Sequence, residues 1–584
     1  MATGIKRLGI AATVVLAAAL CAVTALSLLV PADRVREHVK TQILAVTGLE
    51  PVLNGPVDVS LFPAGSVTFG DVSFDDKRSE RRALTAQQLV VRLRFLPFLI
   101  GRIEIADVAL VRPNIIVAFA PNGTSNWAAH LDAFARALQP NPSRQATFSE
   151  IRITDGTVVL RDEAQKIAET LTNVEFALAW PSISKSFAAT GRFIWHDEPV
   201  DATMSLTDFI SALEGERSGL KLRLAGAPLK FAFDGNISQK PTLRLEGTLA
   251  ADTPSLRDTL RWVGSWTSVG SGFNRFALKA QANVVGGNIS LTGVHIDLDG
   301  NAGEGVLTFA DDGRRTLQGT LAAETLDLTP YVPTIRLLAG DDWSRRPLAL
   351  DPLKSIDMDF RISAARVTLG NAKLGRTALA TNLRAGNLTV AIGESQAFGG
   401  IVNGSVGLAM SAGGADFKTQ LQFADVELDQ SLGEFFGLRR IEGKGDLAVN
   451  LEGYGGSIFE FMQSMNGTAT LISRKGAVAG INVEQLLRRL ERNPLASRGD
   501  FRGGKTPYDT MAINLKITQG VANIEELRVD APPVRLMLAG VASLPSRDLD
   551  LRGTASLMAG PSRDAPLSFE LPFLVQGPWH DPLL

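Results

Sequence analysis

Five histidines, one cysteine and a few acidic pairs are the residues with the widest chemical range in this 584-residue chain. His38, His130, His196, His295 and His580 are scattered and never at the spacing that brings two imidazoles to one metal ion. His196-Asp197-Glu198 is the nearest thing to a polar cluster, and before Pro199 it reads as a strand-end turn rather than an acid–base pair. Asp311-Asp312-Gly313 and Asp341-Asp342 read as turns as well. Cys21 is the single cysteine and lies in an apolar run, so no intrachain disulfide and no cysteine-based zinc or iron–sulfur site can form. Gly-x-Ser-x-Gly and P-loop patterns are missing. The expectation is a non-enzyme with no catalytic residues, no metal and no cofactor. A net charge of −2 removes the main electrostatic argument for nucleic acid. Arg81-Arg82 and Arg488-Arg489 read as solvated surface.

The elements that must position everything else begin with the N-terminus. No charged residue interrupts Leu8–Val30, and Lys6 and Arg7 precede it. A bilayer core needs about 20 apolar residues in a helix. Leu8, Ile10, Val14, Val15, Leu16, Leu20, Leu26, Leu28, Leu29 and Val30 therefore read as a membrane anchor. Residues 1–7 are expected in the cytoplasm and the chain after about residue 31 outside it. Cleavage after Ala25-Leu26-Ser27 is the alternative, and Leu20 before Cys21 disfavours lipidation. Val35, Val39, Ile43 and Val46 at helical spacing predict an amphipathic stem over 31–50, ended by Gly48 and Pro51.

Beyond the stem, apolar residues alternate with polar ones at period two. The pairs Leu222/Leu224, Phe231/Phe233 and Leu243/Leu245 are followed by Met358/Phe360/Ile362 and Leu388/Val390/Ile392. Leu447/Val449/Leu451 and Ile513/Leu515/Ile517 continue the series. Each run reads as a strand with one apolar and one wet face. Asp155-Gly156, Asp234-Gly235, Asp299-Gly300 and Asp312-Gly313 read as tight hairpin turns. Short connections favour a long antiparallel meander over parallel units. Short helices are expected at Trp127–Leu138, Ser255–Trp266, Leu432–Leu438, Ile458–Met465 and Val483–Leu490. The fold class is mainly β with minor α. Alternation alone fits both a two-layer sandwich and a curled sheet that leaves an apolar trough.

Two ordered series of short motifs carry a resemblance. The first contains Leu61-Phe62-Pro63, the strand Leu84–Leu93, Arg112-Pro113 and Asn126-Trp127. The second runs from Trp343 through Ala385-Gly386, Phe398-Gly399-Gly400, Ile441-Glu442-Gly443 and Thr506-Pro507-Tyr508 to Leu571-Pro572. In that order they resemble the AsmA family, in which a Phe-Pro turn, a leucine-rich strand, an Arg-Pro turn and an Asn-Trp pair follow a membrane anchor. The resulting division is 1–7 tail, 8–30 transmembrane helix, 31–50 stem, 51–140 AsmA-like N-terminal region, 141–342 central β-repeat region and 343–584 AsmA-like C-terminal region.

The resemblance implies a single-pass bacterial inner-membrane protein with its bulk in the periplasm and a part in outer-membrane biogenesis. It also implies relatedness to TamB-like and YhdP-like proteins and to bridge-like lipid carriers. It favours the trough: an elongated, curled antiparallel sheet forming an apolar groove with short capping helices. The alternating residues named above are then candidate groove residues, and phospholipid acyl chains are the implied partners. Roughly 25–30 strands in one row would extend on the order of 100–150 Å. The rival reading is an assembly factor that binds outer-membrane or envelope proteins through a sheet edge.

Overall fold

The computed structural model describes residues 32–60, 65–74, 83–94, 104–121, 124–138, 150–162, 167–179, 186–240, 242–264, 271–311, 313–331, 343–348, 354, 356–370, 372–411, 413–436, 439–492, 503–560, 566–579 and 582–583. The expected anchor at 8–30, Cys21, Leu61-Phe62-Pro63 and His580 lie outside the described residues. Among the described residues, no helix is long and apolar enough to cross a membrane. The chain divides into two compact units, Met1–Ser265 with Ala277–Gly286, and Trp266–Phe276 with Gly287–Leu584.

Unit 1 opens with helix α1 (Ala32–Thr47), whose Val39 and Ile43 are buried, and Gly48 ends it at φ +72°. Strands β1 (Val52–Leu53) and β2 (Val57–Ser60) both pair with β3 (Ser66–Phe74), which continues to β4 (Leu84–Leu93) and β5 (Ile105–Phe119). Val39 and Ile43 close over Val67, Phe69, Val72, Leu89, Val91 and Ile105 to form one dense core. Phe69, Leu89 and Ile105 are fully buried, each contributing about 1.5–3 kcal/mol. Helix α2 (Ala128–Leu138) then carries the chain over to β6 (Glu150–Asp162). From there β7 (Ile167–Ala179), β8 (Phe187–Trp195) and β9 (Glu198–Leu206) pair in sequence. After the short helix α3 (Phe209–Leu213) come β10 (Ser218–Gly226), β11 (Lys230–Ser238) and β12 (Arg244–Thr253). Helix α4 (Leu256–Trp262), capped by Ser255, precedes β13 (Phe276–Val285).

Unit 2 holds β14 (Asn288–Leu298), β15 (Asn301–Asp311), β16 (Arg315–Asp327), β17 (Asp357–Leu369), β18 (Ala372–Arg384) and β19 (Asn387–Ala397). It continues with β20 (Gly400–Ser411), β21 (Gly414–Glu427), helix α5 (Leu428–Phe436) and β22 (Ile441–Gly455). Helix α6 (Ile458–Ser464), β23 (Asn466–Ala479), helix α7 (Val483–Arg492) and β24 (Lys505–Thr518) follow. Strands β25 (Val521–Ala531), β26 (Val534–Ser543), β27 (Asp548–Met558) and β28 (Leu567–Pro578) complete it. Each strand from β14 to β28 pairs with the next in sequence.

Three expectations need correction. The ladders are not wholly antiparallel: β5 pairs β6 in parallel, as does β16 with β17. Both junctions are spanned by long connections, which is what a parallel crossover requires. Second, Asp155-Gly156 and Asp234-Gly235 lie inside β6 and β11 and make no hairpin. Asp155 has φ +55° at a register shift, so the conformational freedom read as a turn serves a bulge instead. Asp299-Gly300 is a true turn between β14 and β15 at φ +56° and +85°; Asp312 lies outside the described residues. Third, Arg112-Pro113 is not a turn. It sits within β5, where Arg112 has φ +49° and its guanidinium Nε donates to Asp155 Oδ2 at 3.0 Å. The bulges at Arg112, Asp155 and Asn173 (φ +48°) recur on β5, β6 and β7, so these neighbouring strands bend together.

Candidate functional site

The register decides which side chains share a face. In unit 1, Ala189, Met204, Leu222, Phe233 and Leu249 stand opposite one another in turn across β8 to β12. The neighbouring row is Ala202, Leu224, Phe231 and Ala251, and Leu245 faces Ile237 on the same side. Leu243, immediately before β12, is 42% exposed. Lys221, Arg223 and Asp234 occupy the opposite face, with Lys221 Nζ 3.0 Å from Asp234 Oδ2. Leu222, Leu224, Phe231 and Leu245 are half-buried, while Phe233 is buried. None of the three buried apolar clusters draws on β8–β12. Among the described residues this face is covered only in part: Ala189, Ala202 and Phe233 are buried and Phe187 stacks on Phe209 of α3 at 4.5 Å, while Leu222, Leu224, Phe231 and Leu245 keep part of their surface open.

Unit 2 repeats the arrangement over more strands. One row runs Leu291, Leu307, Gly319, Phe360, Thr381, Val390, Val406, Thr419 and Leu451 across β14 to β22. The row beside it runs Ile362, Leu379, Ile392, Gly404, Leu421, Val449, Ala469, Leu515, Ile524, Gly540, Leu551 and Val575 across β17 to β28. Met358 and Leu388 join through Leu383, and Leu447 meets Ile513 through Leu471, again on this face. All twelve second-half candidates, from Met358 to Ile517, therefore line one side of one ladder. At about 4.8 Å per strand the lane from β14 to β28 measures roughly 65 Å along the sheet.

The lane is not equally open throughout. Leu428 and Leu432 of α5 and Val483 and Leu487 of α7 bury themselves against Phe423, Leu471, Met511, Val529, Leu536 and Leu557. Leu447 and Ile513 pack at the edge of this cluster. At the other strand ends Met465 packs with Ile517, Ala522 and Ala542, and Met462 of α6 and Leu451 lie against them. Met358, Phe360, Ile362, Leu388, Val390, Ile392, Val449 and Leu515 belong to no buried cluster and are half-buried.

Glycines, which the alternation pattern passed over, shape this face. Gly404, Gly467 and Gly540 occupy apolar-face positions at φ +139°, +144° and +149°. A Cβ at Gly467 would meet the Asn450 carbonyl oxygen, and one at Gly540 the Asp550 carbonyl oxygen, both on the neighbouring strand. Such a close approach of the neighbouring backbone leaves room for no side chain on the apolar side at these points. The signal available in sequence is glycine in step with the apolar residues, as in Gly404-Ser405-Val406-Gly407-Leu408.

Elsewhere the polar residues do structural work. His196-Asp197 is the tight turn between β8 and β9, at φ +45° and +64°. Its imidazole sits 2.9 Å from Glu169 Oε2 and 2.6 Å from the Trp262 carbonyl, fastening α4 to that turn. Burial, then the hydrogen bond to Asp299, holds the Tyr331 phenol above its ordinary range, and burial does the same for Tyr508. Among the described residues, no group of three His, Cys, Asp or Glu side chains gathers as a metal cage. The Asn126-Trp127 motif has a clear mechanical role. Asn126 Nδ2 and Trp127 Nε1 both donate to the Ile116 carbonyl at 2.8 Å, and Asn126 Oδ1 accepts from Ala118 N at 2.9 Å. Together they staple the chain entering α2 to the end of β5.

Comparison with known proteins follows the same geography. The model of the AsmA family matches residues 1–253 and 338–527, which takes in β1–β12, β17–β24 and the first part of β25. Protein AsmA of Escherichia coli (strain K12) is 20% identical, over 95% of this chain and 89% of that protein. No solved structure matches significantly. With the family match extending over well over half of its residues, the chain belongs to the AsmA family.

Proposed function

We propose that the apolar lanes shelter phospholipid acyl chains, and that the protein carries or bridges lipid between inner and outer membranes as part of outer-membrane biogenesis. Family membership supports a place in the bacterial envelope. The observation that carries the lipid reading is the pair of neighbouring rows of half-buried side chains, above all Phe360, Ile362, Val390 and Ile392, that no buried cluster among the described residues takes up. Burying a methylene is worth about 0.8 kcal/mol, so a two-chain lipid crossing water faces a barrier on the order of 20 kcal/mol. A trough lowers that barrier but sets no direction, because passage from one apolar phase to another is nearly neutral. The headgroup stays in water along the open side. In this reading the protein is non-catalytic, held to the inner membrane by Leu8–Val30 with its bulk in the periplasm.

The second reading, an assembly factor for envelope proteins, draws on the edge of β28 away from β27, which among the described residues is paired only where Gln576 meets Leu583. Mass spectrometry of material co-purifying with the full chain separates the two. Phospholipid at fixed stoichiometry supports carriage; a bound polypeptide without lipid overturns it.

A further inference from the structure

Helix α7 lies along one strand-end margin of the unit 2 lane. Val483 N is held by Thr506 Oγ1 at the start of β24, and Glu491 is hydrogen-bonded by Ser568 at the start of β28. Its apolar side is spent on the core, where Leu487 is fully buried. Its exposed residues are Gln485, Arg488, Arg489, Glu491 and Arg492, three cations to one acid. Arg488 is paired with Glu484, but Arg489 and Arg492 have no ion-pair partner among the described residues. Arg440, whose carbonyl accepts from Ala479 N, adds a further cation at the same margin, again with no ion-pair partner among the described residues. Arg474 and Lys475 stand exposed on adjoining β23. Between Arg474 and Lys505 the sequence carries eight Lys or Arg against three Asp or Glu, in a chain whose net charge is −2.

A concentration of exposed cations, with Arg440, Arg489 and Arg492 lacking an ion-pair partner among the described residues, has a specific complement beside an apolar lane. Lipids whose chains lie in the lane carry their phosphates along its margins. We propose that α7 and its flanking cations form a docking surface for a bilayer bearing anionic phospholipid headgroups. The apolar side of α7 is anchored in the protein, so attraction is by charge and not by insertion of the helix. This rests on the lipid reading for its purpose, though it is measured separately from it.

The test uses the full chain in phosphatidylcholine nanodiscs, co-floated with phosphatidylglycerol-containing vesicles or with vesicles of phosphatidylcholine alone. Capture by the anionic vesicles only, weakened by salt, is expected. Each cation near the surface is worth about fivefold in partitioning, so Arg440→Gln, Arg489→Gln and Arg492→Gln together should lower capture about 100-fold. A control set, Lys373→Gln, Arg376→Gln and Arg384→Gln, removes the same charge from exposed positions on β18 and should leave capture intact. Equal capture by neutral vesicles, an unaffected α7 variant, or an equal loss in the control set would overturn the proposal. Phospholipid co-purifying with the full chain in detergent, before nanodisc assembly, is quantified in parallel; its absence would sink lipid carriage while leaving charge-dependent docking standing.

Discussion

Strands β10–β12 and strands β24–β27 carry the same alternation, yet their apolar side chains meet different fates. Leu222, Leu224 and Phe231 remain half-buried and belong to none of the buried clusters among the described residues. Met511, Val529, Leu536 and Leu557 are buried, because α5 and α7 lay Leu428, Leu432, Val483 and Leu487 across them. Alternation reports which face is apolar. Whether anything covers that face depends on helices that arrive from distant sequence. The protein thus combines a sealed portion, which stabilises the ladder, with portions whose apolar side chains among the described residues stay partly open.

Substitutions can break or sharpen that contrast. The largest effect should come from Leu487→Asp, which places a charge in the sealed portion and should reduce the unfolding free energy by about 4 kcal/mol. Leu224→Asp, on the open face, should cost only about 1 kcal/mol in the same chemical denaturation while abolishing lipid binding. Next is Gly467→Val, where φ +144° and the Asn450 carbonyl both oppose a side chain; about 3 kcal/mol should be lost. At Gly503, where a Cβ meets open space, alanine should change stability by less than about 0.5 kcal/mol. Asn126→Ala removes the staple at the end of β5 and should cost about 2 kcal/mol, seen as earlier thermal unfolding. Smallest is Lys221→Ala on the wet face of β10, where the ion pair to Asp234 is exposed at both partners and the unfolding midpoint should hold.

Much of this architecture was legible in the residues. Helices at Trp127–Leu138, Ser255–Trp266, Ile458–Met465 and Val483–Leu490 appear within a few residues of their expected limits, because capping and spacing are local. The apolar face was legible through period two. What escaped was non-local. Asp155-Gly156 and Asp234-Gly235 satisfy the demands of a hairpin, but their neighbours continue as strand, and only pairing with β5 and β10 shows them to be interior. Helix α3 is too short, at five residues, to announce itself by periodicity. The parallel junctions at β5–β6 and β16–β17 depend on where a long connection returns, which no local pattern records. The cover over β24–β27 escaped for the same reason: Leu487 is far in sequence from Leu557.

Lipid carriage requires hydrocarbon to lie against the open face. A photoreactive amino acid placed at Val390 and, separately, at its neighbour Thr389 samples opposite faces of β19 at the same point of the chain. In cells grown with labelled phospholipid, illumination should crosslink lipid at Val390 and not at Thr389, with the Leu222 and Arg223 pair behaving alike in unit 1. Lipid captured equally at both faces, or protein alone at Val390, would contradict it.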